Sequence, residues 1–197
     1  MSSKPSIVFA HGLWADGSCF AKVIQPLIAD GYEVIATQNH LNTVADDAAA
    51  VRTSLSRAHG PVVLAGHSYG GTVITAGGAD DRVRALVYIC AFAPEDGDTT
   101  QADQEKFPQT AVFEHIEATD GRLYLRRSGI PQFAGDLPES EQALIWATQM
   151  GRWRTCSLSP SEARRGRRDP HTTSLVPRIE PFNRTSNDFS PSACRQR

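Results

Sequence analysis

The run Val62-Val63-Leu64-Ala65-Gly66-His67-Ser68-Tyr69-Gly70-Gly71 constrains this chain more than any other stretch. An apolar, β-branched segment enters Gly-x-Ser-x-Gly, and Thr72-Val73-Ile74-Thr75 then predicts the start of a helix. Strand, tight turn and helix in direct succession force the Ser68 backbone into a strained conformation. Its neighbours must be small, which Gly66 and Gly70 satisfy. Such a turn lifts the Ser68 hydroxyl clear of the sheet and sets the Tyr69 amide beside it at a helix N-terminus. The five-residue pattern alone is cheap, since any Gly-rich strand-to-helix turn satisfies it. The apolar strand before it and a second motif upstream favour a nucleophile.

At 197 residues the chain predicts one domain with a real core. A hydrophobic share of 40% with 21% charged residues is globular in character. No apolar run approaches the roughly twenty residues that a membrane helix needs, and Ile7–Ala10 is too short for a signal-peptide core. Cys19, Cys90, Cys156 and Cys194 form no Cys-x-x-Cys pair and no disulfide framework, so the expectation is a reduced, cytoplasmic protein. The net charge of −2 conceals an asymmetry. Residues 151–197 carry ten arginines, no lysine and four acids, a balance of +6, which leaves −8 for the rest.

Taken in order, Ser6–Ala10 reads as a buried strand followed by His11-Gly12-Leu13-Trp14. Phe20, Val23, Ile24, Leu27 and Ile28 predict a helix from near Ser18, ended by Gly31. Tyr32–Thr37 predicts the next strand. Thr43 with Asp46 predicts the cap of a second helix, whose apolar stripe is Val44, Ala48, Val51 and Leu55. After the central strand and turn, Val83–Phe92 predicts another buried strand. Alternating strands and helices imply a mostly parallel sheet covered by helices. His11-Gly12, Ser68 and Phe92-Ala93-Pro94 all fall at carboxyl ends of strands, where ligands sit in such sheets. Beyond Pro94 the pattern weakens. Val112–Ile116 alternates, Asp120-Gly121 suits a hairpin turn, and 138–150 predicts a helix. Residues 95–150 are therefore expected to form a small cap over the cleft of a 1–150 core.

Three motifs together, Val8–Ser18, Gly66–Gly71 and Val87–Pro94, resemble the α/β-hydrolases. They look most like small bacterial members related to the plant methylesterase and hydroxynitrile-lyase branch. The resemblance covers about residues 5–150. It implies a serine esterase with a Ser-His-Asp triad, the acid falling between the serine and the histidine in the chain, and with no metal and no cofactor. Ser68 matches the family nucleophile, and the amides of Leu13 and Tyr69 match its oxyanion donors. The chemistry behind those donors is general: attack on an ester carbonyl puts negative charge on its oxygen in a largely dry cleft. Losing one preorganised donor typically costs about 3–4 kcal/mol. The expected partner is a small ester or related acyl substrate, with no nucleic acid and no membrane. Gly12 leaves room for substrate, Trp14 is expected to line an acyl pocket, His11 to brace its loop, and His67 to pack away from the nucleophile. Cyanohydrin cleavage in the plant manner would call for a cleft lysine, and Lys106 is the only late one.

The tail departs from the family pattern. Two strands bearing the acid and then the histidine are expected after the cap, and residues 151–197 show no period of 2 or 3.6. Three readings stay open: a frameshifted or misannotated terminus, a genuine basic tail able to bind nucleic acid or an acidic surface, or a divergent catalytic end. In the last, Asp169 and His171 replace the missing pair and His171 serves as base to Ser68. Glu95 or Asp96 are alternative acids that could orient a base, and His115 has no expected role. Asn183-Arg184-Thr185 fits a glycosylation sequon, which without a secretory signal carries no meaning. The rival to an enzyme is an α/β-hydrolase-fold protein that kept the turn and lost the triad.

Overall fold

The computed structural model describes residues 4–95, 98–154 and 156. Ser6–Ala10 forms β1, Ala21–Ala29 α1, Val34–Thr37 β2, Val44–Arg57 α2, Val62–His67 β3, Tyr69–Gly77 α3 and Val83–Ile89 β4. These strands make one parallel sheet in the order β2-β1-β3-β4. The chain runs from β1 outward to β2, then back across β1 to β3. The connections leaving β1 and β3 therefore run in opposite directions across the sheet, and their carboxyl ends meet at the switch point, where ligands sit in such sheets.

Alternation along the strands divides the core between two faces. Val8, Ala10, Val62 and Leu64 point to α2 and α3, and meet Val44, Val51, Leu55, Val73 and Ile74. Phe9 and Ala65 point to the α1 side, where Phe20 stacks on Phe9 and Ile24 and Leu27 close over them. Only part of the α1 stripe reaches the sheet, for Val23 and Ile28 are exposed. That helix also begins later than expected, because Gly17–Phe20 forms a 3-10 turn first, with the Asp16 carboxylate accepting from the Ser18 amide. Thr43 caps α2 as expected, accepting from the Asp46 amide. At its far end Arg82 donates to the Ala58 and Leu55 carbonyls while paired with Asp80. Burial of β4 differs from expectation: among the described residues it is only half-buried, and Ile89 is exposed.

Residues beyond β4 build a second, antiparallel sheet with short helices: α4 (Thr100–Glu105), β5 (Ile116–Thr119), β6 (Arg122–Leu125), α5 (Ile130–Ala134), α6 (Glu139–Thr148) and β7 (Arg152–Trp153). The hairpin turn falls on Asp120 and Gly121, both at positive φ, as its sequence requires. The alternation over 112–116 is not a strand throughout. Ala111–His115 is a 3-10 turn that delivers Val112 and Phe113 to an apolar cluster, and the strand begins only at Ile116. Order also runs past residue 150: β7 pairs with β6, and Cys156 is buried in the main core against the same cluster as Tyr69. The remaining tail, including Asp169, His171 and the strands whose absence the sequence suggests, lies outside the described residues. No helix among the described residues is long and apolar enough to cross a membrane.

Candidate active site

Ser68 stands between β3 and α3 with φ 53 and ψ −122, left-handed backbone that a serine adopts only under strain. Hydrogen bonds hold it there. The Ser68 carbonyl accepts from the Gly71 amide at 3.0 Å and the Phe92 amide at 3.1 Å, tying the turn to the segment after β4. The glycines are needed for approach. A Cβ on Gly66 would lie 2.4 Å from the Gly70 carbonyl oxygen, and one on Gly70 would lie 2.1 Å from that of Ala10. Ser68 itself remains half-exposed while its neighbour Tyr69 is fully buried.

The segment leaving β1 passes directly over this turn. A Cβ on Gly12 would sit 2.9 Å from the Ser68 Cβ, so the loop and the candidate nucleophile are in contact. Among the described residues, no hydrogen bond uses the amide of Leu13 or of Tyr69. Two unclaimed donors beside an accessible serine can stabilise an oxyanion. Trp14, next in the loop, has φ 56 and is 3% exposed. Its indole Nε1 donates to the Leu123 carbonyl at 3.0 Å, and its ring meets Phe113 and Phe133 edge-on. It is packed into the second sheet's apolar cluster.

His11 braces the loop, as its position suggested. The imidazole is fully buried; its Nε2 accepts from the Asn39 amide at 2.9 Å, which leaves the proton on Nδ1 to donate to the Gly12 carbonyl. Burial keeps it below its ordinary pKa and neutral. His67 is half-buried beside Gly12, and burial lowers its pKa as well. His59 pairs with Glu33 at the opposite end of the sheet, and His115 lies 3.0 Å from Ser128 Oγ in the second layer. His40 is exposed and contributes its backbone amide to Asp47. Glu95 is exposed, with its amide donating to Asp98; Asp96 and His171 lie outside the described residues. Lys106 is exposed after α4. No cluster that could hold a metal occurs among the described residues.

Sequence reasoning missed Asp47 and Asn39. Asp47 is fully buried on α2, accepts from the His40 and Leu41 amides through Oδ1, and accepts the Tyr69 hydroxyl through Oδ2 at 2.8 Å. Burial raises its pKa, against those hydrogen bonds. The available signal was a charge on an apolar stripe, since Asp47 lies three residues from Val44 and four from Val51.

The chain is similar to several known proteins. A carbendazim-hydrolysing esterase from Nocardioides sp. (strain SG-4G) is 34% identical over 114 residues, covering 49% of this chain and 46% of that protein. The chain thus spans about half the length of this curated relative in the match. A solved pyrethroid hydrolase from Sphingobium faniae JZ-2 is similar at 27% identity and a TM-score of 0.55, over 68% of this chain and 62% of that one. Polyneuridine aldehyde esterase shares the fold, with a TM-score of 0.61 at 15% identity over 77% of this chain and 70% of the other. The model of the alpha/beta hydrolase family matches residues 7–193, almost the whole sequence, and the chain belongs to that family.

Proposed function

We propose that this protein is a carboxylesterase-like serine hydrolase that cleaves a small ester or related acyl substrate through an acyl-Ser68 intermediate. The observation that carries this is the strained, half-exposed Ser68 in contact with the Gly12 loop, flanked by the unclaimed Leu13 and Tyr69 amides. The curated relative hydrolyses carbendazim and a structural neighbour hydrolyses pyrethroids, which agrees with a small acyl substrate. In this reading, the segment of about residues 95–150 serves as a cap over the cleft, and the apolar cluster around Trp14 borders the acyl pocket.

The Ser68 hydroxyl needs a base to accept its proton as it attacks. His171 takes that role, and two observations support it. Of the six histidines, His11 has both nitrogens engaged, His59 pairs with Glu33 at the opposite end of the sheet, His115 is bonded to Ser128, His40 is exposed and His67 is packed beside Gly12. The family match also continues to residue 193, past Asp169 and His171. Proton transfer to the base accompanies bond formation from Oγ to the carbonyl carbon, and the oxyanion falls to the Leu13 and Tyr69 amides. Collapse expels the alcohol, which takes the proton from the base, and water then releases the acid by the same steps.

The test is hydrolysis of p-nitrophenyl acetate by the full 197-residue chain beside Ser68→Ala and His171→Ala. Turnover is expected to fall by about a thousand-fold or more in each, since triad members act as a unit. Loss with Ser68→Ala alone would move the base elsewhere. A folded parent with no turnover would establish the rival reading, a hydrolase scaffold without its triad.

A further inference from the structure

We propose that Asp47 is a positioning residue for the reaction at Ser68, bridging through the core the two backbone segments that carry the candidate oxyanion amides and setting their separation. This rests on the hydrolase reading above. Leu13 follows β1 and Tyr69 follows β3, so no covalent or sheet hydrogen bond fixes one amide relative to the other beyond the strand ends. A buried polar chain does so instead. On the loop side, the Asn39 amide donates to His11 Nε2 at 2.9 Å and its side-chain Nδ2 donates to the His11 carbonyl at 2.8 Å. On the turn side, the Tyr69 hydroxyl donates to Asp47 Oδ2 at 2.8 Å. Between them Asp47 Oδ1 grips the amides of His40 and Leu41 at 2.6 and 3.0 Å, directly after Asn39.

His11, Asn39, Asp47 and Tyr69 are each no more than 1% exposed, so water does not compete for these bonds. The linking segment is also held in an uncommon shape. Leu41 has φ 56, and its carbonyl accepts from the Trp153 amide at 2.8 Å while Asp47 holds its N–H. Asp47→Asn keeps the shape but puts an NH2 group where Oδ2 stood, so the Tyr69 hydroxyl loses its charged acceptor and the bridge its negative charge. An oxyanion forms only at the transition state, so a donor displaced by tenths of an ångström should lower kcat and leave KM nearly alone.

Tyr69→Phe and Asp47→Asn test this in the full-length chain, chosen because both keep side-chain volume where Asp47→Ala risks the fold. With p-nitrophenyl acetate, kcat is expected to fall about 10- to 100-fold with KM within about three-fold of the parent. Hydrogen exchange supplies a readout independent of turnover: amides of residues 9–15 should exchange faster in Tyr69→Phe, although the substitution lies in a different segment, while β4 amides stay unchanged. A lowered Tm with unchanged kcat would mean a plain structural role and overturn the proposal. Unchanged exchange over residues 9–15 would overturn the bridge itself. A parent without Ser68-dependent turnover would sink the hydrolase reading and the catalytic half of this proposal together, and the exchange result would still decide the bridge.

Discussion

Gly12 and Gly70 look interchangeable as letters, and the structure gives them different duties. A methyl on Gly70 points at the Ala10 carbonyl oxygen 2.1 Å away, and neither that backbone nor α3 can yield. Gly70→Ala should therefore cost about 3 kcal/mol or more and leave little folded protein, read as loss of a cooperative melt. A methyl on Gly12 meets the Ser68 Cβ at 2.9 Å, a contact that a small displacement of the loop relieves. Gly12→Ala should keep its melt within a few degrees and lose roughly ten-fold or more in esterase rate, because the displaced loop carries the Leu13 amide. If Gly70→Ala melts like the parent, the tight crossing of the turn over β1 is wrong.

At the scale of elements, Trp14 fastens the loop after β1 to the second sheet. Its indole N–H satisfies the Leu123 carbonyl of β6, its ring is wedged between Phe113 and Phe133, and the Arg152 guanidinium lies 5.9 Å from the ring centroid. Trp14→Phe keeps an aromatic ring and leaves that carbonyl without its donor, so urea unfolding should show a loss of about 1–3 kcal/mol; an unchanged midpoint would count against this contact. The central sheet was legible in the sequence because each strand is a short apolar run with Gly or Pro at one or both flanks, and the Asp120-Gly121 hairpin because its turn demands those residues. The 112–116 alternation misled, since a 3-10 turn can also deliver neighbouring Val112 and Phe113 to one cluster. The two residues of β7 were too few to show any period, and their order comes from pairing with β6. Ser68 and its glycines were legible because the turn admits few residue types. Asp47 was not, because its role depends on Tyr69, twenty-two residues away.

For the molecule as a whole, charges at opposite ends of the sheet set how stability answers to pH. Close to Ser68, burial depresses the pKa values of His11 and His67. Both are neutral when folded and take up protons more readily when unfolded, so their contribution is full above pH 6.5 and is lost as pH falls. At the other end, Glu33 joins three segments: it accepts the Ser6 hydroxyl, the His59 amide at 2.8 Å and His59 Nδ1 at 2.7 Å. Those hydrogen bonds, Ser6 first, hold its carboxyl down to about 2 against an ordinary 4.5. A depressed carboxyl stabilises fully above its unfolded pKa, and that share disappears between about pH 4.5 and 2. Asp47, raised by burial, works in the opposite sense. The difference between parent and Glu33→Gln isolates one group from the others. Melting curves at intervals from pH 7 to pH 2.5 should show Glu33→Gln less stable than the parent by a constant margin down to about pH 5, with the gap closing below 4.5. The gap should be modest, because the carboxyl is 37% exposed and its histidine partner 88%. The decline between pH 7 and 5 should persist unchanged in the variant, since it belongs to the buried histidines. A gap that stayed constant to pH 2.5 would show that Glu33 stabilises by packing and not by its charge.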